Sequence, residues 1–315
     1  MMTASSRPIL MILGPTAGGK TRLAIDLARS LPGGGECICA DSMQVYRGMD
    51  IGTAKPTVLE QGEALHHLLD IVEPDDETFS VDAWLELAER AIETIRSRGR
   101  WPVIVGGTNL YIQSFLYGMF DGPPPDEELR AALAELSEAS LRERLMQADP
   151  AAAERIHRND RKRSIRAIEV FEKTGQRLSD LQSQWSSGSM REDVRLIGLE
   201  WPVEEINRRI NARVKAMFEQ GFVDEVRALH AAGKLGRQAR EALGYKQIVD
   251  HLEGRSTLEE AFEQVKIRTR QYAKQQRTWL RRFRYLPGTV WLDAAAMTPQ
   301  ERLSAAQIAI GASSS

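Results

Sequence analysis

Short apolar runs alternate with amphipathic stretches over the first third of the chain. The runs are RPILMIL (residues 7–13), ECICAD (36–41) and WPVIVGG (101–107), and VRLIGLEW (194–201) follows much later. Ahead of the third run, residues 80–95 repeat apolar side chains at helical spacing. Buried strands that alternate with amphipathic helices are typical of a parallel sheet covered on both faces. We therefore predict an α/β fold with a parallel sheet flanked by helices.

A long helical segment interrupts this pattern. From Gly122 to Glu192 the chain is polar and helical and shows no convincing strand. We expect a helical insertion domain (122–192) that divides a core domain into residues 1–121 and 193–315. The second part is predicted to be helical, with a late strand in GTVWLD and a disordered GASSS tail.

The composition narrows the cellular setting. Of the 315 residues 42% are hydrophobic and 27% are charged, which is ordinary for a soluble globular protein. The net charge of −2 indicates no acidic partner by itself, and no run approaches the roughly 18 apolar residues of a membrane span. The two cysteines, Cys37 and Cys39, are too few for a structural zinc site and fit buried thiols. We expect a cytoplasmic protein with no membrane partner.

A glycine-rich loop stands between the first strand and the helix that follows it. GPTAGGKT matches the phosphate-binding pattern G-x-x-x-x-G-K-[ST]. Backbone N–H groups and a helix N-terminus attract phosphate oxygens, and Lys20 adds a full positive charge. The Thr21 hydroxyl suits Mg²⁺, which we expect as the cofactor. The candidate ligands of a diphosphate or nucleotide are Gly14, Pro15, Thr16, Ala17, Gly18, Gly19, Lys20 and Thr21.

The carboxylate of this site is displaced from its usual place in phosphate-loop enzymes. The strand PVIV ends in Gly106, Gly107 and Thr108 without an acid, whereas Asp41 closes the strand CICAD. Because ligands bind at the carboxyl ends of parallel strands, Asp41, Thr108 and the glycine-rich loop should converge. At this point an ATP-dependent small-molecule kinase and an RNA-binding chaperone with a vestigial nucleotide site both remain open.

Two basic clusters indicate a nucleic-acid partner. Residues 266–284 contain eight Lys or Arg and no acid, and HRNDRKRSIR (157–166) forms a second cluster on the insertion. Clusters on separate elements suit a clamp around an RNA loop. Six cations of the first cluster share one helical face, namely Lys266, Arg270, Lys274, Arg277, Arg281 and Arg284.

Several longer stretches occur in an order that resembles the bacterial tRNA dimethylallyltransferases, also called tRNA isopentenyltransferases. They are GPTAGGKT, DSMQVYRGMDIGTAKP, HHLLDIVEP, VGGTNLYIQSFLYG, RIHRNDRKRSIRAIEVFEKTG, GFVDEV, EALGYKQ and RQYAKQQRTWLRRF, and the resemblance covers residues 8–293. It implies that the loop holds the diphosphate of dimethylallyl diphosphate as the leaving group. The prenyl group would go to N6 of the adenosine immediately 3′ of the tRNA anticodon. The implied partner is the tRNA anticodon stem-loop, bound by a monomer.

The resemblance also implies roles for individual residues. Asp41 occupies the position of the general base, and Thr108 that of a residue near the bridging oxygen or the incoming amine. Arg213 matches an arginine that approaches the diphosphate. The candidate tRNA-contacting residues are Asp41, Ser42, Met43, Gln44, Thr108, Arg130, Lys162, Arg163, Arg166, Arg240, Gly244, Tyr245, Lys246, Lys274, Arg277 and Arg281.

Overall fold

A parallel sheet forms the centre of the fold. The computed structural model describes residues 7–119, 122–187 and 190–311, and of residues 183–187 the backbone alone. Its strands run in the order β3-β2-β4-β1-β5-β6, and every pairing is parallel. The sheet confirms the predicted α/β architecture. The strands of the described residues are β1 (Ile9–Leu13), β2 (Gly35–Cys39), β3 (His66–His67), β4 (Trp101–Val105), β5 (Val194–Glu200) and β6 (Thr289–Asp293).

Helices connect the strands and make up most of the second half of the chain. A 3₁₀ turn at Arg281–Phe283 follows the longest helix, and of the expected disordered tail only Gly311 lies within the described residues. The described helices are α1 (Lys20–Ser30), α2 (Val58–Glu63), α3 (Val81–Ser97), α4 (Asn109–Tyr117), α5 (Glu127–Ala134), α6 (Glu138–Ala148), α7 (Pro150–Arg155), α8 (Arg161–Thr174), α9 (Leu178–Ser187), α10 (Val203–Glu219), α11 (Phe222–Ala231), α12 (Arg237–Arg240), α13 (Tyr245–Leu252), α14 (Leu258–Leu280) and α15 (Pro299–Ala309).

The burial of each strand explains whether it could be predicted from the sequence. Strands β1, β2 and β4 are buried along their whole length, and central strands of a parallel sheet therefore read as continuous apolar runs. The edge strand β3 was not predicted, because it is only two residues long and both are partly exposed histidines. His67 is anchored there by a 2.7 Å hydrogen bond between its Nε2 and Glu36 of β2.

The chain divides into two compact units. The core unit comprises residues 1–112 and 192–315, and the helical unit comprises residues 113–191. Within the helical unit the Arg191 N–H donates to the Leu116 carbonyl at 2.9 Å, and the guanidinium lies 4.4 Å from the centre of the Phe115 ring. Since this pairing joins the two ends of the unit, the unit begins at Gln113, ahead of the expected Gly122.

One carboxylate holds the segment that follows the second strand. Glu225 of α11 accepts the backbone N–H groups of Asp50, Ile51 and Gly52 at 3.0, 2.7 and 3.1 Å. It also accepts the hydroxyl of Tyr245 at 2.6 Å. Four donors on one carboxylate tie three distant stretches of the core unit together, namely MDIGTAKP, GFVDEV and GYKQ.

Replacement of this carboxylate should destabilise the core unit. In Glu225→Gln one oxygen becomes an amide that faces N–H donors, so we expect the free energy of unfolding to fall by about 2–4 kcal/mol. Chemical denaturation monitored by circular dichroism measures the change. The control is Glu219→Gln, an exposed residue of α10, which should shift stability by less than about 0.5 kcal/mol. Equal stability of the two variants would contradict the role of Glu225.

Candidate active site

Three loops meet at the carboxyl ends of neighbouring strands. The glycine-rich loop follows β1, Asp41 follows β2, and Gly106 begins the loop after β4, which lies between them in the sheet. A Cβ on Gly106 would lie 2.1 Å from the carbonyl oxygen of Ala40, so only glycine allows this approach. The Thr108 N–H then donates to the same carbonyl at 3.1 Å. The predicted convergence of the loops is therefore present.

Two carbonyl oxygens of the glycine-rich loop accept hydrogen bonds from side chains of the second part of the core unit. Arg209 of α10 donates through Nε to the Ala17 carbonyl at 2.9 Å, and the Trp201 indole donates to the Gly18 carbonyl at 3.0 Å. Ala17 has a φ of 58°, a left-handed conformation that is costly for alanine and that these contacts support. The N–H groups of Thr16 and Gly18 are already bonded to Gln276 and to the Pro15 carbonyl, so the other N–H groups of the loop are the ones that could bind an anion.

The charge at the inner side of the loop is positive. Burial, and after it the nearby Arg213, lower the pKa of Lys20 to about 8, while Asp41 opposes the shift. The pKa of Arg213 is also lowered, first by burial and then by Arg209. Lys20 Nζ donates to the Pro15 carbonyl at 2.9 Å. Two partly buried cations that line the cavity favour an anionic ligand, because such a ligand restores the charge balance.

A cavity joins these groups. It encloses about 500 Å³, its open mouth included. Cations, one carboxylate and an apolar wall all border it. Six lining residues were predicted from the sequence, namely Thr16, Lys20, Thr21, Asp41, Gln44 and Arg213. The others, which the sequence did not single out as ligands, are Cys39, Thr53, Ala54, Pro56, His66, Leu69, Val105, Gly106 and Gly107.

The carboxylate of the cavity is held by its own loop. Asp41 Oδ1 accepts the Met43 N–H at 2.9 Å. Burial raises the pKa of Asp41, against the opposing effects of the Met43 N–H and of Lys20. Thr108 Oγ1 accepts the Ser42 N–H at 2.8 Å and donates to the Ser42 hydroxyl at 3.2 Å. The loops after β2 and β4 are thus joined next to a carboxylate that is suited to accept a proton.

The side-chain amide of Gln44 is fully engaged. Its Nε2 donates to the carbonyls of Thr53 and Ala54 at 3.0 and 3.2 Å, and its oxygen accepts the Cys39 thiol at 3.4 Å. All three partners also line the cavity with Gln44. An adenine that pairs with this amide must therefore replace existing hydrogen bonds.

The predicted basic face does not lie on one helix, because α14 ends at Leu280, Arg281 begins the 3₁₀ turn and Arg284 follows that turn. The cations of this face separate into paired and unpaired ones. Three of its members have polar partners: Lys266 with Glu263, Arg270 with Asn211 and Arg284 with Glu200. Within the described residues Lys274, Arg277 and Arg281 form no ion pair, and Arg277 Nη1 is buried without a hydrogen-bond partner. Burial lowers the pKa of Arg277, and Arg281 adds to this effect. These three cations lack the counter-charge that a phosphate supplies.

In the helical unit two of the four residues predicted to contact RNA form ion pairs with a buried glutamate. Arg130 and Arg166 both pair with Glu169, which is fully buried in α8. Removal of either cation leaves that charge undercompensated, so both have a structural role. Lys162 and Arg163 are exposed on the same helix.

The EALGYKQ stretch is structural in part. Tyr245 is fully buried, and its hydroxyl donates a hydrogen bond to Glu225. This corrects the expectation that the Tyr245 side chain contacts RNA. Gly244 has a φ of 92°, and a Cβ at this position would lie 2.9 Å from a buried aromatic ring. Arg240 and Lys246 each form an ion pair with a nearby glutamate.

The sequence reasoning missed a residue that connects two loops of the site. Gln276 of α14 is only 2% exposed, and it bonds to Thr16 of the glycine-rich loop and to Gly107. Its position between Ala273 and Leu280 on the buried helix face was readable from the helical period. A polar residue on an apolar face is the signal that could have found it.

The chain matches a protein-family model and several named relatives over most of its length. A model of the IPP transferase family matches residues 44–283, well over half of the chain. The chain belongs to the IPP transferase family. It shares 46% identity over 288 residues with a tRNA dimethylallyltransferase of Anaeromyxobacter dehalogenans, covering 90% of this chain and 92% of that protein. A tRNA dimethylallyltransferase of Geobacter sulfurreducens is 44% identical over 297 residues, with 93% and 94% covered.

Solved structures of IPP transferases share the fold. A tRNA Δ(2)-isopentenylpyrophosphate transferase of Staphylococcus epidermidis superposes with a TM-score of 0.70 at 39% identity, covering 96% of this chain and 98% of that chain. A eukaryotic dimethylallyltransferase described as acting on tRNA gives a TM-score of 0.75 at 28% identity, with 92% and 74% covered. The fold of this IPP transferase is thus common to bacterial and eukaryotic relatives.

The partly buried arginine of the cavity should contribute to diphosphate binding. Arg213→Met removes one of two cations beside the loop, and we expect the Kd for magnesium pyrophosphate to rise about tenfold or more. Isothermal titration calorimetry measures it. The control is Arg208→Met on the same helix, because Arg208 is 78% exposed and paired with Glu205. If both variants bind pyrophosphate alike, Arg213 does not contact the diphosphate.

Proposed function

We propose that this chain transfers a dimethylallyl group from dimethylallyl diphosphate to N6 of the adenosine immediately 3′ of the tRNA anticodon, with release of diphosphate. The observation that carries the proposal is the cavity lined by Lys20, Thr21, Arg213 and one carboxylate, the partly buried Asp41. It offers one region for a leaving diphosphate and another for a base. The names of the relatives, tRNA dimethylallyltransferases, support the same chemistry.

The donor would bind with its diphosphate against the glycine-rich loop. Negative charge grows on the bridging oxygen as the carbon–oxygen bond breaks, and the loop amides, Lys20 and Arg213 stabilise that charge. The dimethylallyl group would lie against the apolar wall that Ala54, Pro56 and Leu69 supply. The diphosphate remains in the loop while its hydrocarbon is transferred.

Asp41 would accept the proton that N6 loses. The N6 lone pair is delocalised into the purine ring, so the amine is a weak nucleophile and needs a base within hydrogen-bond reach. Burial raises the pKa of Asp41 and so makes its carboxylate a better proton acceptor than an exposed aspartate. The Thr108 hydroxyl, fixed on Ser42, would help to position the incoming amine.

The cavity fits Mg²⁺ as a partner of the diphosphate. The described residues contain no group of three or more His, Cys, Asp and Glu that could hold a metal. Magnesium in phosphate sites often has one or two protein ligands and takes the rest from phosphate oxygens and water. Thr21 would supply the protein oxygen. When bound, the ion neutralises charge on the leaving diphosphate.

The RNA would be held by three cations that form no ion pair among the described residues and by two exposed cations of α8, of which Arg163 is paired with Asp160. The proposed phosphate contacts are Lys274 and Arg277 on α14, Arg281 in the 3₁₀ turn that follows it, and Lys162 and Arg163 on α8. The target base must leave the stacked anticodon loop to reach Asp41, and the phosphate contacts offset that cost. Gln44 would read the adenine edge after exchanging its carbonyl partners. One copy of the chain suffices for this, so we propose a monomer.

The site fits neither a kinase nor an RNA chaperone as well as it fits a prenyltransferase. A kinase is disfavoured because the relatives are named dimethylallyltransferases and because β4 ends in Gly106, Gly107 and Thr108 rather than in a carboxylate. An RNA chaperone has no use for the partly buried Lys20 and Asp41 in one cavity. Within the described residues no helix is long and apolar enough to span a membrane.

Removal of the proposed base should abolish turnover and preserve RNA binding. Wild-type protein with Mg²⁺, unmodified tRNA and dimethylallyl diphosphate should form prenylated adenosine, and ATP in place of the donor should give none. Asp41→Asn should lower kcat by about 10²–10⁴ with tRNA affinity within about twofold. Mass spectrometry of digested RNA measures the product.

The control for this experiment is Asp82→Asn, an exposed aspartate of α3. The pH profile gives an independent check on the same residue. Since burial raises the pKa of Asp41, kcat/KM should fall with decreasing pH well above the ordinary aspartate pKa of about 3.9. Prenylation by Asp41→Asn at the wild-type rate, or prenylation that depends on ATP, would refute the assignment.

The unpaired cations of α14 should account for part of the salt dependence of tRNA binding. In Lys274→Ala/Arg277→Ala the slope of log K against log salt should decrease by about 0.7–0.9 per lost phosphate contact. Filter binding between low and moderate salt measures the slope. The control removes two exposed cations of α10 in Arg208→Ala/Lys215→Ala. An equal slope in both double variants would mean that α14 does not face the RNA.

A further inference from the structure

The side-chain amide of Gln276 bridges the two halves of the site. Its oxygen accepts the Thr16 N–H at 2.8 Å, and its Nε2 donates to the Gly107 carbonyl at 3.0 Å. The two partners are more than a hundred residues away from Gln276 in sequence. With only 2% of its surface exposed, this amide has no competing partner in water.

Only a neutral group with both a donor and an acceptor fits between these partners. The Thr16 N–H requires an acceptor and the Gly107 carbonyl requires a donor, and a glutamine amide supplies one of each. The position also depends on Gly107, since a Cβ there would lie 2.5 Å from Gln276 Nε2. Tyr272, one turn earlier, donates to the same Gly107 carbonyl at 3.2 Å.

The bridge joins the loop for the donor to the loop for the acceptor. Thr16 belongs to the glycine-rich loop, whereas Gly107 directly precedes Thr108, which holds Ser42 beside Asp41. The bridging side chain belongs to α14, and the next residue in the chain is Arg277, one of the three unpaired cations. One helix thus carries both the proposed RNA contacts and the contact that sets the spacing of the two loops.

We propose that Gln276 is a positioning residue that holds the glycine-rich loop in register with the Gly107–Thr108 loop and links both to the RNA-facing helix. Gln276 touches neither substrate. It acts through the Thr16 amide and the Gly107 carbonyl. When Gln276 is replaced, the cations and the carboxylate are still present, but the spacing between the two loops that carry them is no longer fixed. Diphosphate binding and turnover should therefore suffer, and RNA binding should not.

The test compares Gln276→Met with a matched substitution on the same helix. Methionine keeps the size of glutamine and leaves the Thr16 N–H without an acceptor, so we expect the Kd for magnesium pyrophosphate to rise about tenfold. We expect kcat/KM for dimethylallyl diphosphate to fall about as much, with the Kd for an anticodon stem-loop RNA within about twofold. The control is Gln271→Met, because Gln271 is exposed and bonds only to Arg268 of its own helix.

Gln276→Glu supplies a signature that simple destabilisation does not produce. An ionised carboxylate keeps an acceptor for Thr16 but opposes the Gly107 carbonyl with a lone pair. A protonated carboxyl has one donor and one acceptor, as the amide does. The pyrophosphate affinity of Gln276→Glu relative to wild type should therefore recover as the pH is lowered, whereas that of Gln276→Met should stay low.

The outcomes separate this inference from the proposed function on which its kinetic part rests. If Gln276→Met and Gln276→Glu both bind pyrophosphate as Gln271→Met does at every pH, the bridge does not position the loop and the inference is wrong. If the variants show the expected binding defects while wild-type protein fails to prenylate tRNA, the proposed function fails and the bridge stands. Pyrophosphate binding needs neither RNA nor turnover, so it decides the point by itself.

Discussion

The orientation of the glycine-rich loop is the constraint on which the rest of the site depends. Its amides can face an anion only if its carbonyl oxygens have partners elsewhere, since buried carbonyls do not remain unpaired. Trp201 and Arg209 donate hydrogen bonds to the Gly18 and Ala17 carbonyls, and the Lys20 ammonium donates to the Pro15 carbonyl. The loop thus obtains its binding geometry from residues that arrive about 180 positions later in the chain.

The charges of the site follow from the same arrangement. Lys20 and Arg213 are partly buried near each other, and desolvation lowers the pKa of each, while desolvation raises the pKa of Asp41. The opposite shifts have one cause, because the cavity excludes water from cations and carboxylate alike. A diphosphate supplies the counter-charge for the cations and leaves the carboxylate available for proton transfer.

Glu225 and Gln276 have the same structural role at two places in the core unit. Each connects segments that are far apart in sequence: Glu225 holds residues 50–52 beside Tyr245, and Gln276 holds the glycine-rich loop beside Gly107. Both use one side chain with several partners, so a single residue fixes the position of a loop.

The sequence by itself determined the parallel sheet, the glycine-rich loop and the place of Asp41, because central strands read as apolar runs and motif residues are contiguous. It also located the cations of the basic face. The tertiary structure alone decided which of those cations are unpaired, since Glu200 and Asn211 reach Arg284 and Arg270 from elsewhere. The same holds for β3, for the buried Tyr245 and for the Gln276 bridge. Contacts between distant segments depend on how helices pack on the sheet, and local periodicity carries no information about the partner.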